Sequence, residues 1–127
     1  VNEKIVNAFF EKPSTTDYNG LYKGKYIDFE AKETKNTSFP LRNIHNHQIE
    51  HLKRVIKHHG ICFLIVRFAL KNETYLLFGK DFIDFIENED RKSVPLEYFK
   101  KYGYLIKDKL SPRVDYIEII DKYGGIL

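Results

Sequence analysis

The sequence predicts an α+β domain in which helices flank a mixed β-sheet. Three stretches carry that expectation. Residues 14–32, "STTDYNGLYKGKYIDFEAK", read as a β-hairpin, because Ile27, Phe29 and Ala31 alternate with Asp28, Glu30 and Lys32 along the second arm. Residues 46–59 carry apolar side chains at helical spacing, whereas "ICFLIVRFAL" is a continuous apolar run of the kind buried on both faces of a sheet.

Taken in order, residues 1–11 are expected to close a short helix, with "AFF" as an alternative extended lead-in. The hairpin follows, and then a polar loop, "TKNTSFPLRN". In the helix of residues 46–59, Ile49, Leu52, Val55, Ile56 and His59 share one face, Glu50, Lys53, Arg54 and Lys57 take the other, and Gly60 supplies the stop. "TYLLFG" is the expected antiparallel neighbour of "ICFLIV". "KDFIDFIEN" and "PLEYFKKYG" read as short helices, the second with Pro95 near its first turn. "SPRVDYIEIIDKYGG" fits a closing helix through Tyr116, Ile117, Ile120 and Tyr123, ended by Gly124.

The totals bound the function. A chain of 127 residues with 43% hydrophobic and 15% aromatic residues is too apolar for a disordered segment and of the size of one domain, 1–127. No stretch has the length and apolarity of a membrane span and no signal-peptide pattern opens the chain, so a cytoplasmic, nucleoid-associated protein is expected. The single cysteine, Cys62, excludes a disulfide framework and reads as a small core residue. A net charge of +3 permits nucleic acid as a partner without requiring it.

The hairpin carries the chemistry. If Lys23 and Gly24 form its turn, Asp17 lies opposite Glu30 and Thr15 opposite Lys32, all on one side of the ribbon. A turn at Gly24 and Lys25 keeps them on that side, whereas a three-residue loop breaks the alignment. Two facing carboxylates repel unless a cation or proton lies between them. A hard cation such as Mg²⁺ takes oxygen ligands of this kind, and Lys32 would set an ammonium beside it. The plain alternative is a solvated strand face whose charges pair among themselves.

Asp17 followed by Glu30-Ala31-Lys32 resembles the PD-(D/E)XK nuclease signature. The longer string "STTDYNGLYKGKYIDFEAKETK", with "SFPL", "HQIEH" and "GICF" after it, is similar to the RecU-type Holliday junction resolvases. The resemblance implies a restriction-endonuclease-like fold and a homodimeric, Mg²⁺-dependent endonuclease, with Mn²⁺ as a substitute, that cleaves four-way DNA junctions in recombination and repair alongside recombination proteins. It also implies metal ligands at Thr15, Asp17, Glu30 and Gln48, catalytic roles for Asp17 and Glu30, and a transition-state-stabilising role for Lys32. Gln48 comes from the resemblance alone. Residues 1–14 would match the family's stalk segment, with the region that precedes it in the family having no counterpart here.

Other patterns compete. His47, Glu50 and His51 match the H-x-x-E-H motif of zinc peptidases, with Glu87 or Glu89 as candidate third ligands. Lys12, Lys23, Lys25, Lys35, Arg42, Lys53, Arg54 and Lys57 are candidate contacts to backbone phosphates. Tyr18, Tyr22 and Tyr26 are candidates for stacking on bases or for packing across the hairpin. A DNA-binding module without catalysis would use the same basic residues, and only the carboxylate-lysine face argues against it.

Overall fold

The computed structural model describes residues 8–11, 18–106 and 119–124. Its centre is a six-stranded sheet built from β1 (Ala8–Glu11), β2 (Tyr18–Tyr22), β3 (Lys25–Thr34), β5 (Ile61–Phe68), β6 (Glu73–Phe78) and β8 (Tyr104–Leu105), in the spatial order β1-β2-β3-β5-β6-β8. β3 and β5 run parallel, and every other pair is antiparallel, so the sheet is mixed. The parallel pair needs a crossover, and α1 (Asn46–Lys57) lies within it. α2 (Gly79–Asn88) and α3 (Leu96–Tyr102) follow, the latter between β7 (Ser93–Pro95) and β8.

The alternation of β3 and β5 divides the core in two. Cys62, Leu64, Val66 and Phe68 pack with Leu52 and Val55 of α1, Phe82 and Phe85 of α2 and Phe99 of α3. Ile27, Phe29, Ile61 and Phe63 face the other way, against Phe78, Ile106 and Ile120. Both faces of β5 are therefore covered, which explains its unbroken apolar run. Phe29 and Phe63 are register partners, and their rings stack with centroids 4.7 Å apart. Each such fully buried side chain contributes about 2 kcal/mol through the surface it removes from water.

The hairpin register is the one expected for a Lys23-Gly24 turn: Tyr22 pairs with Lys25 and Asn19 with Asp28. Lys23 and Gly24 both have positive φ, 51° and 80°, as a two-residue primed turn requires. Lysine tolerates this with help from outside the hairpin, because Asp121 accepts from Lys23 Nζ at 3.2 Å and from the Tyr22 hydroxyl at 2.8 Å. Tyr22 is thereby a core residue and not a base-stacking surface.

Several expectations need correction. Of the two readings of residues 1–11, the extended one holds for 8–11: they form β1 and not the end of a helix, because pairing Ala8 with Tyr22 extends the sheet. The polar loop contains a strand, β4 (Ser38–Pro40), which pairs with β7 and buries Phe39. α1 ends at Lys57, and the left-handed residue of its stop is His59, φ 68°, rather than Gly60. The His59 N–H reaches Ile56 O and the Gly60 N–H reaches Val55 O, so the two bonds close a Schellman-type end. Gly60 is needed for space, since a Cβ there would sit 2.8 Å from Val55 Cγ1 and 3.3 Å from Tyr26 O. Pro95 stands at the N-cap, beside the first turn of α3, as expected. Of the expected closing helix, residues 120–124 form a single wide turn, while Tyr116 and Ile117 lie outside the described residues.

Candidate active site

The side chains of Tyr26, Asp28, Glu30 and Lys32 share the face of β3 that α1 covers. The strand repeats every two residues and the helix every three or four, so two rungs can align between them. They do. Glu30 lies under Gln48, and Asp28 lies under His51.

Glu30 is fully buried, and its Oε2 accepts from Gln48 Nε2 at 3.1 Å. Its Oε1 lies 3.7 Å from Lys32 Nζ, with Lys32 partly open to solvent. The Gln48 Oε1 turns back to accept the His45 N–H at 2.8 Å, closing the first turn of α1. The positive end of the helix dipole is thus brought to the Glu30 carboxylate, which stabilises its charge.

Asp28 is also fully buried. Its Oδ2 accepts from the Tyr26 hydroxyl at 2.7 Å and lies 2.5 Å from His51 Nε2, while its Oδ1 has no hydrogen-bond partner among the described residues. A carboxylate accepts only, so His51 carries its hydrogen on Nε2. Burial, and then the bond to Asp28, raises the Tyr26 phenol above its ordinary value. Cys62, opposite Asp28 in the register, is pushed up to about 12, first by burial and then by the Asp28 charge. It is a core thiol and no nucleophile.

Of the expected site residues, the structure therefore unites Glu30, Lys32 and Gln48. Thr15, Asp17 and Lys12 lie outside the described residues. Asp28 and His51 were not expected as a pair; alternation placed Asp28 on this face, but only the packing of α1 supplies its partner. The zinc motif is dispersed, since His51 faces Asp28, Glu50 pairs with Lys53 at 3.6 Å, and His47 stacks on His45. Glu87 pairs with Lys53 at 3.5 Å, and among the described residues no group of three or more His, Cys, Asp or Glu could hold a metal ion.

The basic residues also sort themselves. Lys53 is engaged by two carboxylates and Lys23 by Asp121. Lys35, Arg42, Arg54 and Lys57 are exposed, Lys25 is half-buried, and Arg54 lines a hollow beside the Asp28–His51 pair.

The Recombination protein U family model matches residues 1–122. Proteins named Holliday junction resolvase RecU are similar to the chain: one from Bacillus cytotoxicus is 57% identical over 92% of the chain and 60% of its own length. Those of Geobacillus sp. and Streptococcus thermophilus are each 53% identical, covering 93% and 96% of the chain and 61% and 63% of the relatives. The chain thus spans about 60% of the length of these relatives. With a family match that takes in the whole hairpin, α1 and the sheet, and relatives more than half identical across them, the chain belongs to the Recombination protein U (RecU) family.

Proposed function

We propose that the chain is the nuclease core of an enzyme that hydrolyses the DNA backbone at four-way junctions during recombination and repair, acting as a homodimer with Mg²⁺ or, in its place, Mn²⁺. The observation that carries the reading is Glu30, a carboxylate withdrawn from water yet set between the Lys32 ammonium and the Gln48 amide. A solvated strand face would not bury it. The names of the relatives supply the substrate, branched DNA.

When bound, a hard divalent ion supplies Lewis-acid polarisation of the phosphate and an activated water. Glu30 would hold it together with Asp17 and Thr15. The described donors suit such an ion: Glu30 would bring a desolvated carboxylate, and Gln48 would bring the amide oxygen that otherwise accepts the His45 N–H. The resident side chains do the rest. Hydrolysis adds the water oxygen to phosphorus and releases a strand oxygen, so negative charge grows on the phosphate. Lys32, tethered at 3.7 Å by Glu30, holds an ammonium where that charge develops. The first turn of α1, through Gln48, holds Glu30 in place.

Single-turnover cleavage of a labelled four-way junction, with binding measured alongside, tests the reading. Glu30→Gln and Lys32→Ala should each cut at least about 100-fold more slowly while still binding the junction. Near wild-type cutting by Glu30→Gln, or recovery of the stripped protein with zinc and not magnesium, would overturn it. Light scattering should give a dimer, because symmetric cutting of two strands needs two sites.

A further inference from the structure

Beyond Glu30 the groove between β3 and α1 continues toward the C-terminal end of the helix. There it opens into a hollow of about 260 Å³ lined by Tyr26, His51, Arg54, Val55, His58 and Gly60. Three of the six lining residues, His51, Arg54 and His58, are basic. Arg54 and His58 are exposed at the rim, and among the described residues Arg54 makes neither an ion pair nor a side-chain hydrogen bond. His51 forms the inner wall, pinned by its 2.5 Å contact to Asp28. The Asp28 charge itself is shielded from the hollow by burial and by the two groups that cover Oδ2.

A hollow with this lining suits an anion that presents oxygens over a tetrahedral face. Arginine offers a fork of donors to such an anion, and the exposed His58 ring at the rim can add a second N–H. Tyr26 and Glu30 are four residues apart on one strand face, so the hollow lies about 13 Å along β3 from the proposed cutting site. That distance is several times the ~3.4 Å axial rise of one nucleotide, so a phosphate held there is a different one from the phosphate that is cut. We propose that this hollow is a second phosphodiester-binding subsite, which takes a backbone phosphate of the same DNA arm a few nucleotides from the bond that is cut. The identification of the ligand as DNA rests on the function proposed above; its identification as a phosphodiester rests on the lining alone. The subsite would set how far along the arm the backbone is presented to Glu30, and Arg54 would be its principal contact.

Two measurements test it. The first follows the histidine ring signals of the whole chain by NMR as diethyl phosphate, a lone phosphodiester, is added. The His51 and His58 rings should move together and saturate, and Arg54→Gln should weaken the response roughly tenfold, the value of one charge-assisted hydrogen bond. The second measures junction binding, with Ca²⁺ to prevent cutting, across a range of salt. Arg54→Gln should make the slope of log K against log salt shallower by about 0.9, the signature of one lost phosphate contact, whereas a mere loss of packing would lower affinity without changing the slope. His51 and His58 rings that stay still in diethyl phosphate, or an unchanged slope in Arg54→Gln, would overturn the subsite. If the chain neither binds nor cuts junctions but diethyl phosphate still moves both rings, the proposed function fails and the subsite stands.

Discussion

Removing His51 should expose the cost of the buried carboxylate beneath it. Asp28 is fully buried and has two partners, the His51 ring at 2.5 Å and the Tyr26 hydroxyl at 2.7 Å. His51→Ala takes away the stronger one and leaves Oδ2 with a single neutral donor. Breaking a buried pair by deleting one member costs about 3–5 kcal/mol, chiefly because the survivor is left desolvated and uncompensated. The His51 side chain retains 21% of its exposure, so water can reach the gap and the lower end, about 3 kcal/mol, is expected. At about 4 °C per kcal/mol for a chain of this size, the midpoint should fall by about 12 °C. The double variant Asp28→Leu/His51→Ala removes the charge together with its partner and should regain at least half of the loss, since apolar replacement of a buried pair is often neutral. Guanidinium unfolding at pH 7 without divalent ions, read as midpoint at constant m, measures both variants. A loss under about 1 kcal/mol for His51→Ala, or a double variant no more stable than the single, would refute the account of Asp28.

Gly60→Ala should destabilise by about 1–3 kcal/mol in the same assay, because its Cβ would meet Val55 Cγ1 at 2.8 Å and cannot retreat from Tyr26 O at 3.3 Å. Lys53→Ala should cost under about 1 kcal/mol and leave the salt slope of DNA binding unaltered, since its partners are Glu50 and Glu87 on the protein itself; a shallower slope would return Lys53 to the DNA surface. Cys62 gives an alkaline prediction. Its folded-state value is raised from 9.0 to about 12, so the folded protein holds the proton more tightly than the unfolded chain, and the stability this contributes is whole below about pH 9 and lost as pH climbs toward 12. Over that window Cys62→Ala should make the fall in stability with pH shallower by up to about 1.4 kcal/mol per unit. An identical slope in the variant would show that the thiol does not report burial.

The parts of the fold that follow a single period were legible in the sequence. β5 announced itself by the six apolar residues Ile61 to Val66 in a row, and α1 by Ile49, Leu52, Val55 and Ile56. The turn at Lys23-Gly24 was legible for a different reason, since it follows from where the alternation of β3 begins. β1 was legible only as an alternative, because "AFF" has no period of its own and becomes a strand only through pairing with β2. β4 was missed likewise: three residues cannot display alternation, and Phe39 is buried by contact with the α3 region, including the Phe99 ring 6.4 Å away.

The candidate site divides along the same line. Glu30 and Lys32 could be read from β3 alone, because their common face is a property of one strand. Asp28 shares that face and was visible as a charge, yet its buried state depends on α1 and so could not be read from β3. Conversely, the helix pattern placed Glu50 and Lys53 on the outer face, where they meet each other, but nothing in it distinguished His51 from His47 as the residue that turns inward. The choice is made by register between two unlike periods: two residues of strand span about 6.6 Å and three of helix about 4.5 Å, close enough for a pair of side chains to bridge the difference twice but not indefinitely. Gln48 over Glu30 and His51 over Asp28 are those two matches. Past them, at Tyr26, the rungs no longer meet, and the mismatch between helix and strand becomes the space in which Arg54 and His58 stand.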